Sequence, residues 1–358
     1  MQHPDFCIAG AGIIGLSLAL ELHRRGASVT VLEKSAPLLE ASSAAAGMLA
    51  AHDPENPEQL RPLSDLSLSL YPQFLAQIES LSDIPVPFQT TTTLQSSPHL
   101  EGLPASELQA LLPQLNLGSH HFRRLHFRRL DEQSVDPRQL AQSLLAAVRA
   151  TAIDLRAGTP VQRLSTASGS IEVQTPASTF TASSFIDCTG AWSAASSHLP
   201  PFNVVPRKGQ MLSVALPSDL PLDLVVRTPD IYIVPRTQGP QAGRAIIGAT
   251  IEDCGFDKTV HSADIARLRS QASQLLPQLA SATILEAWAG LRPSTPDGLP
   301  LLGALPGKPQ HFLATGHYRN GILLAPATAH VMAQLLFGEP ASVDLAPFSP
   351  ARNLKAVG

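Results

Sequence analysis

The chain has 358 residues, 44% hydrophobic and 15% charged, with a formal net charge of −4 at pH 7. That length supports one large or two medium domains with a substantial core, and the mild acidity gives no electrostatic case for nucleic acid. Cys7, Cys188 and Cys254 lie far apart with no C-x-x-C pair, which argues against a disulfide framework or a zinc site and fits free thiols in a reducing cytoplasm.

No run of 18 apolar residues occurs, so no transmembrane helix is expected. The chain enters an apolar run directly after Met1-Gln2-His3-Pro4-Asp5. A basic n-region and cleavable apolar segment are missing there, so no signal peptide is expected.

The opening stretch is the most informative. Phe6-Cys7-Ile8-Ala9 reads as a strand and Gly10-Ala11-Gly12-Ile13-Ile14-Gly15 as a G-x-G-x-x-G turn. An amphipathic helix from Leu16 to Arg25 stops at Gly26, and the strand Val29-Thr30-Val31-Leu32 ends on Glu33. Gly10 allows the tight turn, Gly12 lets backbone approach a pyrophosphate, and Gly15 lets helix and sheet pack closely. The helix N-terminus favours phosphate charge, and Glu33 stands where a carboxylate accepts hydrogen bonds from ribose hydroxyls. Glycines used only for βαβ packing are the plainer alternative, but they leave the acid unexplained. A ribose-binding acid disfavours a 2′-phosphate, which leaves FAD or NAD.

Glu40 to Ala51 is built of small residues. Such side chains let backbone lie flat against a planar ligand, and Ser42 and Ser43 can donate to phosphate. A plain alanine-rich helix is the equal alternative. The spacing of Leu66, Leu70, Phe74, Leu75 and Ile78 predicts a helix over 64–82. Thr90 to Leu94 reads as a strand, and Ser106 to Leu112 as a short helix capped by Ser106 and ended by Pro113. His120 to Arg129 mixes basic and aromatic residues in what reads as a solvated hairpin rather than a nucleic-acid patch.

Asp136-Pro137 starts a helix, with the aspartate as N-cap. Strands follow at Ile153 to Arg156, Val161 to Leu164, Ser170 to Gln174 and Thr179 to Ala182. Phe185 to Trp192 repeats the opening logic, an apolar strand closing on a glycine. Antiparallel strands are expected at Val204 to Pro206, Gln210 to Ala215, Ile231 to Pro235 and Ala245 to Ala249. Helices are expected over 262–276 and about 323–337. This order predicts an α/β fold: a Rossmann-type dinucleotide-binding domain (1–83, 134–203 and 285–358) interleaved with an antiparallel-sheet substrate domain (84–133 and 204–284).

Several stretches together resemble the D-amino-acid-oxidase-like FAD-dependent oxidoreductases, and within that family the glycine oxidases of thiamine biosynthesis. They are the opening unit, Ser42 to Leu49, Tyr232-Ile233-Val234-Pro235-Arg236, Ala287-Trp288-Ala289-Gly290-Leu291-Arg292-Pro293, Asp297-Gly298 and Gly316 to Pro326. The resemblance runs from residue 5 to about 337 and is loose over 84–130. It implies a non-covalent FAD, oxidation of the Cα–N bond of glycine, sarcosine or a small D-amino acid, and O2 as electron acceptor giving H2O2. An FAD-dependent D-amino-acid or N-methyl-amino-acid dehydrogenase with a different acceptor is the alternative. Family members with covalent flavin use a C-terminal cysteine, and this chain has none after Cys254. Relatives are often homotetramers, although the sequence singles out no interface.

By this resemblance Arg292 anchors the substrate carboxylate through its planar guanidinium. Tyr232 hydrogen-bonds the same carboxylate, and Arg319 approaches either substrate or flavin. The cofactor contacts implied are Gly10, Gly12, Ile13, Ile14, Gly15, Glu33, Lys34, Ser42, Ser43, Ala46, Gly47, Met48, Val161, Thr189, Gly190 and Trp192. His317, Tyr318, Arg319, Asn320, Gly321, Ile322 and Leu323 complete the set. The last helix aims its positive end at the flavin and stabilises its anionic reduced form. His317 reads as a packing residue rather than an acid or base. Two departures, Thr228-Pro229-Asp230-Ile231 ahead of Tyr232 and Tyr318 in place of phenylalanine, widen the expected substrate to a small amine with a carboxylate. A silent FAD- or NAD-binding module has no need of Arg292, and no proton-shuttle histidine suggests an NAD-dependent dehydrogenase.

Overall fold

The computed structural model describes residues 3–97, 102–116, 118, 126–167, 169–195 and 202–353. In chain order the elements are β1 (Phe6–Ala9), α1 (Ile13–Arg24), β2 (Val29–Leu32), α2 (Ala41–Ala44), α3 (Arg61–Ser82), β3 (Phe88–Thr90), β4 (Thr93–Ser97), α4 (Ala105–Leu111), β5 (His126–Leu130) and β6 (Ser134–Val135). There follow α5 (Pro137–Arg149), β7 (Asp154–Arg156), β8 (Arg163–Ala167), β9 (Ser170–Gln174), β10 (Thr179–Ala182), β11 (Ser184–Asp187), β12 (Val205–Ala215), β13 (Val225–Arg227), β14 (Tyr232–Arg236) and β15 (Arg244–Gly248). The chain closes with α6 (Ser262–Leu275), β16 (Ile284–Ser294), β17 (Leu301–Leu305), β18 (Lys308–Thr315) and α7 (Gly321–Leu336).

A six-stranded sheet in the order β17-β18-β11-β1-β2-β7 forms the first layer. It is parallel except for the β17–β18 hairpin. β1 and β2 are buried along their whole length, as expected of parallel strands covered on both faces. Helices α1, α3, α5 and α7 bury their apolar residues against one face. The three-stranded sheet β10-β9-β8 covers the other through Ile171, Val173 and Phe180.

A seven-stranded sheet, β16-β12-β15-β14-β13-β4-β5, forms the second body. Strand alternation divides its residues between two faces. Leu212, Val226, Ile233 and Ile247 pack with Ile265, Leu268, Ala272 and Leu275 of α6. The neighbouring register row, Met211, Gly248, Tyr232, Arg227 and Gln95, runs across five strands. Four of its side chains face the molecule's main cavity.

Several local expectations are corrected. Strand β12 is one 11-residue strand rather than two, because Arg207, Lys208 and Gly209 find partners on β16. β16 itself pairs in the seven-stranded sheet, although its residues from 285 onward were assigned to the dinucleotide-binding part. Thr90 to Leu94 divides between β3 and β4. Helix α4 begins after Pro104 with no side-chain cap, so Ser106 is not its N-cap. Of the basic stretch His120 to Arg129, residues 120–125 lie outside the described residues, and 126–129 belong to β5. Asp136 does cap α5, its side chain accepting from the Arg138 amide at 2.9 Å.

Helix α7 contains Pro326, which removes the amide that would bond to the Ile322 carbonyl. α3 makes good the loss. The buried Tyr71 hydroxyl donates to Ile322 O at 2.7 Å, while Ser67 Oγ donates to Leu323 O at 2.6 Å and accepts from Ala327 N at 3.2 Å. Replacing Tyr71 with phenylalanine leaves a buried carbonyl unpaired. Stability is expected to fall by about 1–3 kcal/mol, measured as a shift in urea midpoint at constant slope, and an unchanged midpoint would contradict this account.

Candidate active site

One cavity of about 580 Å³ runs between the two sheets, from the glycine turn after β1 to the inner face of the seven-stranded sheet. At the turn, Gly10 takes φ +99°, and a Cβ there would stand 2.5 Å from the Cys188 carbonyl oxygen. A Cβ on Gly15 would overlap the Gly10 carbonyl, so α1 packs against the turn only because both are glycine. Gly12 offers no side chain to cap α1, and Ser42 Oγ instead accepts from Ile13 N at 2.9 Å. Other first-turn amides stay available to an anion at this wall of the cavity.

Glu33 lies beneath the turn. Its carboxylate accepts from Ala11 N at 2.9 Å and Ser35 N at 3.0 Å while it lines the cavity. Beside it the Lys34 ammonium sits 3.8 Å over the Trp192 ring, a cation–π contact that orients both walls. Asp187 at the end of β11 fixes the second glycine turn by accepting from Thr189 N at 2.9 Å and Ser193 Oγ at 2.8 Å. Gly190 follows at φ +59° with open space where a Cβ would be. The small-residue stretch is pinned from the antiparallel sheet: Arg236 donates to Ala46 O at 2.9 Å and Trp288 Nε1 to Ala44 O at 3.0 Å.

At the other end stands Arg292. Its Nη1 donates to the carbonyls of Thr250 at 3.1 Å and Lys208 at 3.5 Å. Among the described residues it forms no ion pair with a carboxylate, so the structural salt bridge that would explain a charge here is missing. Gly209 makes room for it, since a Cβ there would overlap the guanidinium. Gly248 does the same for Tyr232, whose hydroxyl lies 2.5 Å from where a Cβ would sit. Burial pushes the Tyr232 phenol up, and the adjacent Arg292 guanidinium opposes that shift. The pair presents a positive charge and a neutral hydroxyl side by side, which is carboxylate-binding chemistry.

The third wall is the N-terminus of α7, whose N-cap Asn320 makes no side-chain cap. Asn320, Gly321 and Ile322 line the cavity there, so the positive helix end faces into it. Tyr318, at φ +48°, is held in that uncommon conformation by its amide donating to Pro293 O at 2.8 Å.

Residues 5–335 match the family described as FAD dependent oxidoreductase. The chain belongs to this family of FAD-dependent oxidoreductases. It is 33% identical over 372 residues to the glycine oxidase of Pseudomonas aeruginosa, covering 97% of this chain and 98% of that one. It is 37% identical to the bifunctional ThiO/ThiG protein of Trichormus variabilis over 98% of its own length, and spans only 55% of that relative. Its fold superposes on the crystal structure of Geobacillus kaustophilus glycine oxidase with a TM-score of 0.88 at 30% identity, covering 100% of each chain.

Most of the residues expected to hold the cofactor share one cavity in this FAD-dependent oxidoreductase. Glu33, Lys34, Val161, Gly12, Gly190 and the start of α7 at Asn320, Gly321 and Ile322 all line it. Ile13, Ile14, Ser42, Ala46, Gly47, Met48, Thr189, Trp192, His317, Tyr318 and Arg319 also line it, whereas Gly15, Ser43 and Leu323 do not. Gly15 acts in packing, and Leu323 is buried among the α-helices.

Arg319, expected to approach substrate or flavin, lines the cavity with its guanidinium paired to Glu55 at 2.5 Å and Asp53 at 3.3 Å. Arg292 has no such carboxylate partner among the described residues. The sequence reading missed Arg227, Asp53 and Gln95, all of which line the cavity. The available signal was a charged residue closing the apolar run Leu224-Val225-Val226, five positions before Tyr232.

His317 is buried, and its Nε2 shares a hydrogen bond with Thr328 Oγ1 at 3.0 Å. Burial pushes its imidazole down to about 3, so it stays neutral at physiological pH. The unfolded chain, with a histidine pKa near ~6.5, takes up that proton first as pH falls. Stability present above about pH 6.5 is therefore lost progressively toward pH 3, at up to ~1.4 kcal/mol per unit. Burial pushes His311 down to about 4, which adds in the same sense. His317→Gln is expected to flatten this acid limb in urea unfolding compared at pH 7 and 4.5. Parallel losses in both proteins would remove His317 as its source.

Proposed function

We propose that this chain is an FAD-dependent oxidase of glycine or a related small amino acid. FAD, when bound, supplies the ring that accepts a hydride from the substrate Cα. The protein's part is binding and orientation. Arg292 holds the carboxylate in a fixed plane, Tyr232 adds a hydroxyl donor, and the uncapped start of α7 offers its positive end where negative charge grows. The amine loses a proton as the Cα–H leaves, giving the imine, which water converts to the oxo acid and ammonia. O2 takes the two electrons with two protons to become H2O2.

Arg292 carries this reading: a guanidinium in the cavity wall with no carboxylate partner among the described residues, beside Tyr232. The relatives' names support an amino acid substrate. The bifunctional relatives support a place next to thiazole formation in thiamine synthesis. No described helix is long and apolar enough to cross a membrane. The free cysteines fit a reducing cytoplasm, and none of them stands in the C-terminal part where a covalent flavin link would form.

The test is an anaerobic titration of the purified protein followed by its visible spectrum, with glycine, sarcosine and D-alanine added in turn and then air. Bleaching, recovery in air and stoichiometric peroxide support the oxidase. Recovery only with a quinone would replace it by a dehydrogenase, and a colourless protein after denaturation would sink the FAD assignment.

A further inference from the structure

Arg292 is held by backbone, and the backbone that holds it is irregular. Strands β12 and β15 pair in regular register as far as Met211 and Gly248. The next bridge joins Lys208 to Glu252. Two residues, Gly209 and Gln210, therefore stand opposite three, Ala249, Thr250 and Ile251, which makes a β-bulge, a device that re-aims the groups it carries. Inside it the Gln210 amide donates to the Thr250 hydroxyl at 2.8 Å, while the Thr250 carbonyl accepts from Arg292 Nη1 at 3.1 Å.

Glu252 closes the bulge. Its backbone exchanges both hydrogen bonds with Lys208, each of 3.0 Å. Its carboxylate accepts from Gln210 Nε2 at 2.7 Å and from the Thr250 hydroxyl, and lies 3.1 Å from the wholly buried Lys208 ammonium. Burial pushes the Glu252 carboxyl up, but the hydrogen bonds from Gln210, Thr250 and Lys208 outweigh it and bring it below the ordinary glutamate range. The two carbonyls that receive Arg292 Nη1, those of Thr250 and Lys208, thus belong to residues that one carboxylate ties together.

None of these ties reaches the cavity. Arg292, Ala249 and Ile251 line it, whereas Lys208, Gln210, Thr250 and Glu252 do not. Any effect of Glu252 on a bound carboxylate is therefore carried by Arg292. A guanidinium that must find its plane at each binding event gives up binding energy to its own ordering, and one held beforehand does not.

We propose that Glu252 is a positioning residue: by closing the bulge it fixes the two carbonyls that set the Arg292 guanidinium, and so raises affinity for the substrate carboxylate without touching it. The inference rests on Arg292 as the carboxylate anchor in the reading above and deepens that reading.

Acetate, a carboxylate with no amine to oxidise, is titrated into the FAD-loaded protein and followed through the flavin's visible spectrum. Glu252→Ala is expected to raise the acetate Kd and the KM for glycine together by about tenfold, with flavin content unchanged. Because that variant leaves the buried Lys208 ammonium unpaired, Thr250→Val is measured beside it. It removes the hydroxyl tie and keeps the ion pair, the same rise is expected, and it decides the matter if Glu252→Ala fails to fold. A merely structural role would weaken Arg292→Ala as much as the wild type. Acting through Arg292, Glu252→Ala is instead expected to change kcat/KM for glycine by less than about twofold in the Arg292→Ala background. A rise in acetate Kd below about threefold in the folded variants overturns the inference, and so does a fully additive loss in the double variant. Acetate held equally well by Arg292→Ala sinks the anchor and this inference with it. Acetate results as expected, with flavin reduced by no amino acid, sink the oxidase reading alone. Acetate indifferent to Glu252 and Thr250, with glycine still oxidised, sinks this inference alone.

Discussion

Replacing Arg292 with alanine is expected to lower kcat/KM for the preferred amino acid by about 30–4,000-fold with flavin still bound. Losing one partner of a buried, hydrogen-bonded charge pair costs about 2–5 kcal/mol, and each ~1.4 kcal/mol is a factor of ten in rate. The guanidinium donates to the carbonyls of Thr250 and Lys208 and adjoins the Tyr232 hydroxyl, and among the described residues it has no carboxylate partner to strip. The fold and the flavin site should therefore survive. Arg292→Lys should recover little, because a point charge cannot make the two parallel bonds.

Gly209→Ala reaches the same endpoint without touching a charge. Its new methyl group occupies the guanidinium's place, and since that group is the far end of a flexible side chain it swings away instead of breaking the strand. Oxygen uptake kinetics together with the flavin absorbance of each variant check both. A loss below about fivefold in Arg292→Ala would show that the carboxylate is held elsewhere.

Gly10→Ala is expected to abolish flavin binding and destabilise the fold together. The position is at φ +99°, where an alanine is strained by about 1–3 kcal/mol. The methyl would also stand 2.5 Å from the backbone oxygen of Cys188, and backbone in β11's exit turn cannot step aside as a side chain can. Overpacking of that kind costs a further ~1–3 kcal/mol, a large part of the ~5–15 kcal/mol that holds an ordinary domain together. The measurement is flavin per protomer from absorbance after gel filtration, beside a thermal melt. A variant that keeps stoichiometric flavin would mean that the turn does not need its left-handed geometry.

What the sequence disclosed follows from how local each signal is. β1, the glycine turn, α1 and β2 lie within one short stretch, and every requirement there is met by neighbours in the chain. The bounds of β2, Val29–Leu32, agree with its apolar run. The substrate wall is a long-range product. Tyr232 and Arg292 are brought together by β14, β15, β12 and β16, so a motif can name them but cannot place them. Arg227 escaped because β13 has only three residues, too few to show an alternation. Ser42 and Ser43 were inseparable because adjacent residues of a helical turn point about 100° apart, and only the packing of α2 decides which hydroxyl reaches Ile13. Arg319 looked free in sequence because its partners, Asp53 and Glu55, lie more than 260 positions away along the chain.

The stitching of α7 to α3 bears on which parts of the molecule shape the site. Ser67 and Tyr71 lie outside the cavity wall, yet they hold the first turns of the helix that points into it. The orientation of that helix end is thus anchored by a layer outside the cavity wall. Under the proposed function, substitutions in α3 would act on the flavin's surroundings through α7 while leaving Arg292 and Tyr232 untouched, which separates the two ends of the site as targets of sequence change.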